Sequence, residues 1–316
     1  MPAVLSVIGE ALIDFVDAGD HSTFAAYPSG SPLNVAVGLA RLGHDTEFMA
    51  RFGQDTFGRM LRAQAERNGV GLSSSVAAAE QSSLAIATLD QDAKAHYDFY
   101  LTGTADWQWT DAELRVPPAT RILHAGSLAS WLPPGADRII EMLRRVRDDT
   151  LVSYDPNVRP GLLGSPEQAR EPIERAVAVA HLVKASDDDI GWLYPGDAED
   201  AIAARWLALG ATAVVITRGE RGACAYRTTG AAPLERPARE IRLVDTIGAG
   251  DAFTSGLLGA LARAGVRDAP GLAAADLVEA FDEAILVAAL TCERAGADPP
   301  TAAELEAAST RSAPDR

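Results

Sequence analysis

Beyond about residue 120, short apolar segments alternate regularly with helical patterns, and this alternation most constrains how the sequence can fold. Apolar segments near Ile122 and at residues 151–154, 182–184 and 214–217 have the length of buried strands. The residues between these segments show helical periodicity. Because strands separated by helices pair in parallel, the sequence predicts the α/β class, with a doubly wound, mostly parallel sheet flanked by helices.

Two strands and two helices are predicted in the N-terminal region. The strands are expected at residues 4–8 and 11–16. One helix is expected between Ser31, as its N-cap, and Gly43. The second is expected between Asp55, also as an N-cap, and Gly69.

A hairpin interrupts the alternation of strands and helices. Residues 83–89 and 96–101 have strand character, and the polar residues 90–94 between them predict a turn. Since these strands do not fit the parallel sheet, they are expected to form a small accessory element.

The chain is expected to form a single domain, because no repeat, low-complexity segment or linker divides it. This domain is expected to cover residues 1–310, with accessory strands from about residues 10–30 and 83–105. Residues 311–316 are expected to form a frayed tail.

Charge and composition argue against several classes of function. The formal net charge of −16 repels phosphate backbones, so nucleic acid is not an expected partner. Cys224 and Cys292 lack the spacing of a disulfide framework or a zinc site, which fits a reducing compartment. The apolar N-terminal run is too short for a signal peptide or a membrane span. We therefore expect a cytoplasmic protein that has no membrane partner.

Two nucleotide-binding motifs are missing from the sequence. The only lysines are Lys94 and Lys184, and neither lies in a G-x-x-x-x-G-K-[ST] motif, which excludes a Walker-type phosphate loop. No G-x-G-x-x-G motif follows the first predicted strand, which argues against a nicotinamide-dependent dehydrogenase.

The most informative segment combines small residues with a carboxylate, and reads Asp-Thr-Ile-Gly-Ala-Gly-Asp at residues 245–251. Apolar residues at helical spacing follow it, so a helix is expected to begin near Ala249. Gly248 and Gly250 then lie at the positive end of that helix, where free N–H groups can approach a phosphoryl group. Asp251 could accept a proton from an attacking hydroxyl. Alternatively, Asp251 only stabilises the helix N-terminus and the glycines only form a turn.

Several motifs resemble those of one enzyme family, the ribokinase-type (PfkB) carbohydrate kinases. Residues 245–258 resemble the second signature of this family position by position. Residues 29–36, Ser-Gly-Ser-Pro-Leu-Asn-Val-Ala, resemble the first signature, and the likeness continues through residues 53–58. Four further segments look most like those of bacterial fructokinases, at residues 9–15, 103–106, 124–127 and 154–159.

The resemblance implies a kinase that transfers the γ-phosphoryl group of ATP to a sugar hydroxyl. By this resemblance, Asp251 would be the general base, and Gly248, Ala249 and Gly250 would surround the phosphoryl group. The accessory strands would form a β lid that covers the sugar.

The resemblance also implies a sugar site. Asp14, Gly30 and Asn34 would bind sugar hydroxyls. The alternatives are a turn carboxylate for Asp14 and a helix-surface amide for Asn34. Arg159 has two interpretations: it contacts the sugar or phosphate, or it pairs with a carboxylate in its own loop.

Two segments resemble the nucleotide site of the family. In the first, Lys184 and Ser186 would bind nucleotide phosphate and Asp189 would hold Mg²⁺ through water, although the family often has Asn and Glu where Ser186 and Asp189 stand. The alternative is that Ser186 only caps a helix. In the second, Thr217, Gly219 and Gly222 would form a phosphate loop, and the same glycines could form a hairpin turn.

Further expectations concern ions, assembly and substrate. Asp245 and Thr246 would contribute to a site for a monovalent cation such as K⁺, as in several relatives, and a homodimer is also expected.

Fructose is the predicted substrate. Leu101 stands where similar sugar kinases often have Arg, which argues against 2-keto-3-deoxygluconate and leaves fructose open. The alternatives are a 2-keto-3-deoxygluconate kinase, a nucleoside kinase and a non-catalytic sugar-binding regulator.

Overall fold

The computed structural model describes residues 4–19, 22–89, 95–228, 230 and 232–311. The strands are β1 Val4–Ile8, β2 Leu12–Asp17, β3 Phe24–Ser29, β4 Thr46–Met49, β5 Arg51–Gly53, β6 Val76–Ala78, β7 Leu84–Leu89, β8 Ala95–Tyr100, β9 Thr120–Gly126, β10 Leu151–Asp155, β11 Leu182–Ser186, β12 Ala213–Thr217, β13 Ala223–Arg227 and β14 Leu234–Arg236. The helices are α1 Ser31–Arg41, α2 Thr56–Arg67, α3 Ala136–Val146, α4 Pro160–Leu163, α5 Pro166–Val177, α6 Asp187–Leu193, α7 Glu199–Leu209, α8 Ala249–Arg263, α9 Ala269–Ala274, α10 Val278–Cys292 and α11 Ala302–Arg311. The predicted turn at residues 90–94 and residues 312–316 of the predicted tail lie outside the described residues, whereas Arg311 is the last residue of α11.

The main sheet contains eight strands in the order β14-β13-β12-β11-β10-β9-β1-β4. All neighbouring pairs from β4 to β12 are parallel, whereas β13 and β14 are antiparallel additions at one edge. The predicted doubly wound, mostly parallel sheet is therefore confirmed.

Both faces of this sheet are covered by helices, since successive side chains of a strand point to opposite sides. In β12, Val214 and Ile216 belong to a core shared with α3, α5, α6 and α7. Ala213 and Val215 belong to a second core shared with α1, α8 and α10. Burial on both faces explains why these strands are continuous apolar runs in the sequence. Within the part of the chain that the structure covers, no helix is long and apolar enough to cross a membrane.

Four other strands form a separate sheet, called the small sheet below, in the order β3-β2-β7-β8. β2 and β7 pair in parallel, and each pairs antiparallel with its sequence neighbour. The strands lie within the two segments from which accessory strands were predicted. The last strand residue of β3, Ser29, is followed by Gly30 and then directly by α1.

The sequence prediction missed β4, which lies between the first two helices and forms one edge of the main sheet. This strand is only four residues long and carries a charged residue, Glu47, so it has no apolar run. The Glu47 carboxylate is nevertheless buried, because it accepts hydrogen bonds from the Ser73 hydroxyl and the Ser74 amide. Satisfied hydrogen bonds allow a charged side chain to occupy a buried strand position.

The predicted N-cap of α1 was wrong by one residue. The N-cap is Gly30, and Ser31 is the first helical residue. Gly30 has a φ of +119°, and a Cβ there would lie 2.7 Å from the carbonyl oxygen of Glu10, so only glycine fits without strain. The predicted N-cap of α2 is confirmed, because the Asp55 carboxylate accepts a hydrogen bond from the Gly58 amide at 2.7 Å.

Candidate active site

Two predicted site residues, Ser186 and Thr217, lie at the carboxyl edge of the main sheet together with a further carboxylate, Asp155. Asp155 ends β10, Ser186 ends β11 and Thr217 ends β12. Because carboxyl ends of parallel strands meet at one edge, these residues lie on the same side of the sheet.

The first turn of α8 contains the residues of the predicted anion-binding nest. Gly248 is the N-cap, in the left-handed region with a φ of +75°, and α8 begins at Ala249 as predicted. A Cβ at Gly248 would lie 2.6 Å from the Ala297 Cβ, and one at Gly250 would lie 3.0 Å from the Lys184 Nζ. The Ala249 amide donates to the Thr246 carbonyl at 3.2 Å. The Gly250 and Asp251 amides belong to the first turn, where an α-helix provides no carbonyl partner.

Asp251 lies beside this nest and is held from the N-terminal end of α1. The Ser31 hydroxyl donates to one carboxylate oxygen of Asp251 at 2.6 Å, and the Asn34 Nδ2 donates to the other at 2.8 Å. Loss of solvation raises the pKa of Asp251 above its ordinary value, although both hydrogen bonds and the charge of Lys184 oppose this increase. Asn34 is therefore not the surface amide of the alternative interpretation.

Lys184 forms a buried ion pair beneath the nest. Its Nζ donates to the Asp155 Oδ2 at 2.8 Å, and both side chains are almost fully buried. Burial alone would lower the pKa of Lys184, but the carboxylates of Asp155, Asp189 and Asp251 raise it above its ordinary value. Lys184 is therefore a fixed cation close to Gly250.

Ser186 and Asp189 form the capping box of α6. The Asp189 amide donates to the Ser186 hydroxyl at 3.0 Å, and the Ser186 amide donates to the Asp189 carboxylate at 3.1 Å. The other Asp189 oxygen accepts from the Val158 amide at 2.9 Å. Burial, followed by the nearby charge of Asp155, raises the pKa of Asp189. Ser186 therefore caps α6, and this contact does not exclude a further role in binding nucleotide phosphate.

The carboxylates around Lys184 are too few to hold a metal ion without water or substrate. Among the described residues, no three or more His, Cys, Asp or Glu side chains are grouped so that they could hold a metal ion. Mg²⁺ usually keeps several waters and binds to one or two carboxylates together with substrate phosphates. The donors here, Asp189 and the neighbouring Asp155, fit such a water-mediated site.

The loop before α8 provides oxygen donors of another kind. The Asp245 carboxylate accepts from the Ile247 amide at 3.0 Å and from the Gly296 amide at 2.8 Å. The Thr246 carbonyl accepts from Ala249. Carboxylate and carbonyl oxygens are chemically suited to a hard monovalent cation.

The predicted sugar-binding residues lie around the junction of the small sheet and α1. Asp14 is located within β2 and not in a turn, which excludes its alternative interpretation. Burial raises the pKa of Asp14, while a hydrogen bond with Ser29 and the positive charge of Arg159 oppose this shift.

Arg159 lies in the loop after β10, close enough for its positive charge to affect Asp14. Its Nη1 donates to the Asn157 side-chain oxygen at 2.8 Å and to the Val158 carbonyl at 3.0 Å. These are neutral partners within the loop, so the described contacts do not include the predicted pairing with a loop carboxylate.

The loop between β12 and β13 is a hairpin connection, as one of the two interpretations predicted. Gly219 and Gly222 both have positive φ values, and the Arg218 amide donates to the Gly222 carbonyl at 2.7 Å. Thr217 lies at the end of β12, with its hydroxyl near the Ala185 carbonyl. The loop is thus adjacent to Ser186 on the next strand.

Sequence reasoning missed two contributors to the site. Ser31 was assigned as a helix cap, although it directly follows Gly30 in the first signature. Asp155 lies in one of the fructokinase-like segments and received no role in the prediction, although it directly follows the predicted strand at residues 151–154. Position at the carboxyl end of a parallel strand was the signal that could have identified Asp155.

Comparisons with known proteins identify similar sequences and similar folds. The family described as "pfkB family carbohydrate kinase" matches residues 3–304. A fructokinase of Klebsiella pneumoniae is 33% identical over 274 residues, which cover 86% of this chain and 88% of that protein. The structure of a fructokinase with bound ATP from Xylella fastidiosa superposes with a TM-score of 0.89 at 26% identity, covering 98% of this chain and 99% of the other. A fructokinase double mutant from Vibrio cholerae O395, bound to fructose, ADP and potassium ion, gives a TM-score of 0.83 at 25% identity and covers 96% and 97% of the two chains.

Proposed function

The chain belongs to the pfkB family of carbohydrate kinases and is a sugar kinase, and from this premise we propose that it phosphorylates fructose with ATP, using Asp251 as general base. The observation that carries the proposal is the position of the Asp251 carboxylate in the first turn of α8, beside the Gly248–Gly250 nest. Fructose is favoured because the K. pneumoniae relative is named fructokinase and the V. cholerae structure contains fructose and ADP.

In the proposed reaction, Asp251 accepts the proton of a sugar hydroxyl. The hydroxyl oxygen then forms a bond to the γ-phosphorus, the bond between this phosphorus and the β–γ bridging oxygen breaks, and ADP leaves. An ionised carboxylate has about four lone-pair sites, and Ser31 and Asn34 use two of them. Asp251 therefore retains the capacity to accept the sugar proton.

The positive end of α8 stabilises the transferred phosphoryl group. The amides of Gly248, Ala249 and Gly250 surround the phosphoryl position in this proposal, with Gly250 the better placed donor because the Ala249 amide already donates to Thr246. Lys184 adds a fixed positive charge beneath Gly250.

The nucleotide would lie along the carboxyl ends of β11 and β12. Ser186, Thr217, Gly219 and Gly222 are the proposed contacts for its phosphates. Asp189 would hold Mg²⁺ through water, and the ion would neutralise charge on the phosphate oxygens. Asp245 and Thr246 would contribute oxygens to a site for K⁺, which is the ion present in the V. cholerae structure.

The sugar would bind between the small sheet and α1. Asp14 accepts hydrogen bonds from sugar hydroxyls in this proposal, while Gly30 allows close approach of the backbone and Arg159 adds donors. Because the Asn34 amide nitrogen is engaged with Asp251, its side-chain oxygen is the atom left for the sugar. Closure of the small sheet would then exclude water as a competing acceptor.

Sugar-dependent ADP release tests the proposal. We would assay Mg²⁺-ATP with fructose, 2-keto-3-deoxygluconate, ribose, tagatose and several nucleosides, for the parent and for Asp251→Asn. Asp268→Asn serves as a matched control, since Asp268 caps the distant helix α9. Turnover of fructose that is lost only in Asp251→Asn supports the proposal. If another sugar or a nucleoside is turned over instead, that compound replaces fructose as the proposed substrate. If the folded protein turns over none of these compounds, a non-catalytic sugar-binding protein is favoured.

A further inference from the structure

We propose that Ser31 is a positioning residue for Asp251, and that its hydroxyl fixes the carboxylate in the orientation needed for proton transfer. This inference rests on the proposed function, in which Asp251 is the base. It concerns a side chain that the sequence prediction assigned to helix capping.

The geometry around Asp251 is a two-point clamp. Ser31 and Asn34 each donate one hydrogen bond, at 2.6 and 2.8 Å, to different oxygens of the same carboxylate. An ionised carboxylate only accepts hydrogen bonds, so the Ser31 hydroxyl must be the donor. Rotation of the carboxylate about its terminal torsion breaks both contacts. Loss of Ser31 leaves Asn34 alone, which fixes the position of one oxygen but not the plane of the group.

The placement of Ser31 depends on the junction between the small sheet and α1. Ser29 ends β3, Gly30 takes the N-cap position and Ser31 begins the helix. A single residue with a positive φ therefore separates the edge strand of the small sheet from the donor to Asp251.

The charged groups around Asp251 determine the sign of the expected effect. Burial raises the pKa of Asp251, the Ser31 and Asn34 hydrogen bonds lower it, the Lys184 cation on β11 also lowers it, and the Asp155 carboxylate on β10 raises it. Removal of the Ser31 hydroxyl eliminates one contribution that favours the ionised form. A general base must be ionised, and removal of the hydroxyl raises the pKa of Asp251. As pH is lowered, the Ser31 variant therefore loses activity at a higher pH than the parent does.

The test compares pH profiles of kcat/KM for fructose, with Mg²⁺-ATP at a fixed concentration, in the parent, Ser31→Ala and Ser31→Thr. We expect the acid limb of Ser31→Ala to move upward by about one pH unit, and kcat on the plateau to fall roughly 3- to 30-fold. The KM for ATP should not change. Ser31→Thr retains a hydroxyl and should recover most of the parent profile. Ser165→Ala, which removes the N-cap hydrogen bond of the distant helix α5, should match the parent.

The outcomes distinguish failure of the positioning role of Ser31 from failure of Asp251 as the base. An unchanged acid limb in Ser31→Ala, with a loss that is uniform across pH, overturns the positioning role. If Ser31→Ala does not fold, Ser31→Cys provides the same test, because a thiol is a weaker donor of similar shape. Retained turnover in Asp251→Asn instead overturns the assignment of the base, whatever the Ser31 variants do.

Discussion

The Nζ of Lys184 lies 2.8 Å from the Oδ2 of Asp155, and this buried pair supports the first turn of α8 from below. Removal of Lys184 leaves the Asp155 carboxylate as an uncompensated buried charge. We therefore expect Lys184→Met to lower the free energy of unfolding by about 3–5 kcal/mol, measured by urea denaturation. In a double-mutant cycle, Lys184→Met combined with Asp155→Leu should be less destabilised than the sum of the two single variants. Additive losses would contradict the coupling.

Gly248 combines a left-handed backbone with a close neighbour, the Ala297 Cβ. Gly248→Ala should therefore lower the free energy of unfolding by more than the ~1 kcal/mol expected for the positive φ alone, and should weaken ATP binding by distorting the nest. Gly69→Ala is a matched control, because Gly69 has a φ of +78° and open space around its Cα. Calorimetric titration with ATP and thermal unfolding provide the two measurements. Equal effects of both variants on stability, with unchanged ATP affinity, would argue against a role of this glycine in the nest.

Asp14 is expected to contribute to sugar affinity rather than to nucleotide affinity. Replacement by Asn removes an acceptor for sugar hydroxyls, which should raise the KM for the sugar by roughly 10-fold or more and leave the KM for ATP unchanged. Steady-state kinetics with each substrate varied in turn provide the measurement. Asp98→Asn, on another strand of the small sheet, is the control for general effects on that sheet. A parallel increase of both KM values would exclude a specific contact with the sugar.

Glu10 links protonation to stability. Burial is the main cause that raises its pKa to about 7, from an ordinary value of 4.5, and the Asp106 carboxylate contributes further. Between these pH values the folded protein keeps a proton that the unfolded chain releases, so the free energy of unfolding falls as pH rises. Glu10→Gln lacks this dependence. Its stability relative to the parent should increase between pH 4.5 and 7 by up to about 3 kcal/mol.

Denaturation curves at several pH values measure this difference. Glu220→Gln provides the exposed control and should leave the pH dependence unchanged. If Glu10→Gln and the parent lose stability in parallel over this range, Glu10 is not the group responsible.

Local patterns allowed the α/β class, most main-sheet strands and the nest to be predicted. The nest is contiguous in the sequence, so Gly248 and Asp251 could be placed relative to a helix start before any tertiary contact was known. The role of Ser31 could not be predicted in this way, because its hydrogen-bond partner lies 220 residues away in the sequence. Nothing in the residues around Ser31 indicates that its hydroxyl is used by Asp251.

The ion pair of Lys184 could not be predicted from the sequence for the same reason. Its partner Asp155 comes from the neighbouring parallel strand, 29 residues earlier. β4 was missed because a satisfied buried Glu47 removes the apolar pattern on which strand prediction depends. In each case the deciding interaction is long-range, and periodicity reports only local structure.

The clamp on Asp251 also has a consequence during synthesis of the chain. Ser31 and Asn34 emerge from the ribosome 220 and 217 residues before their acceptor. At about 5–20 residues per second, they wait roughly 10–40 s for it. Their hydroxyl and amide donors therefore lack the Asp251 carboxylate during this interval, and this contact between α1 and α8 can form only after α8 has emerged.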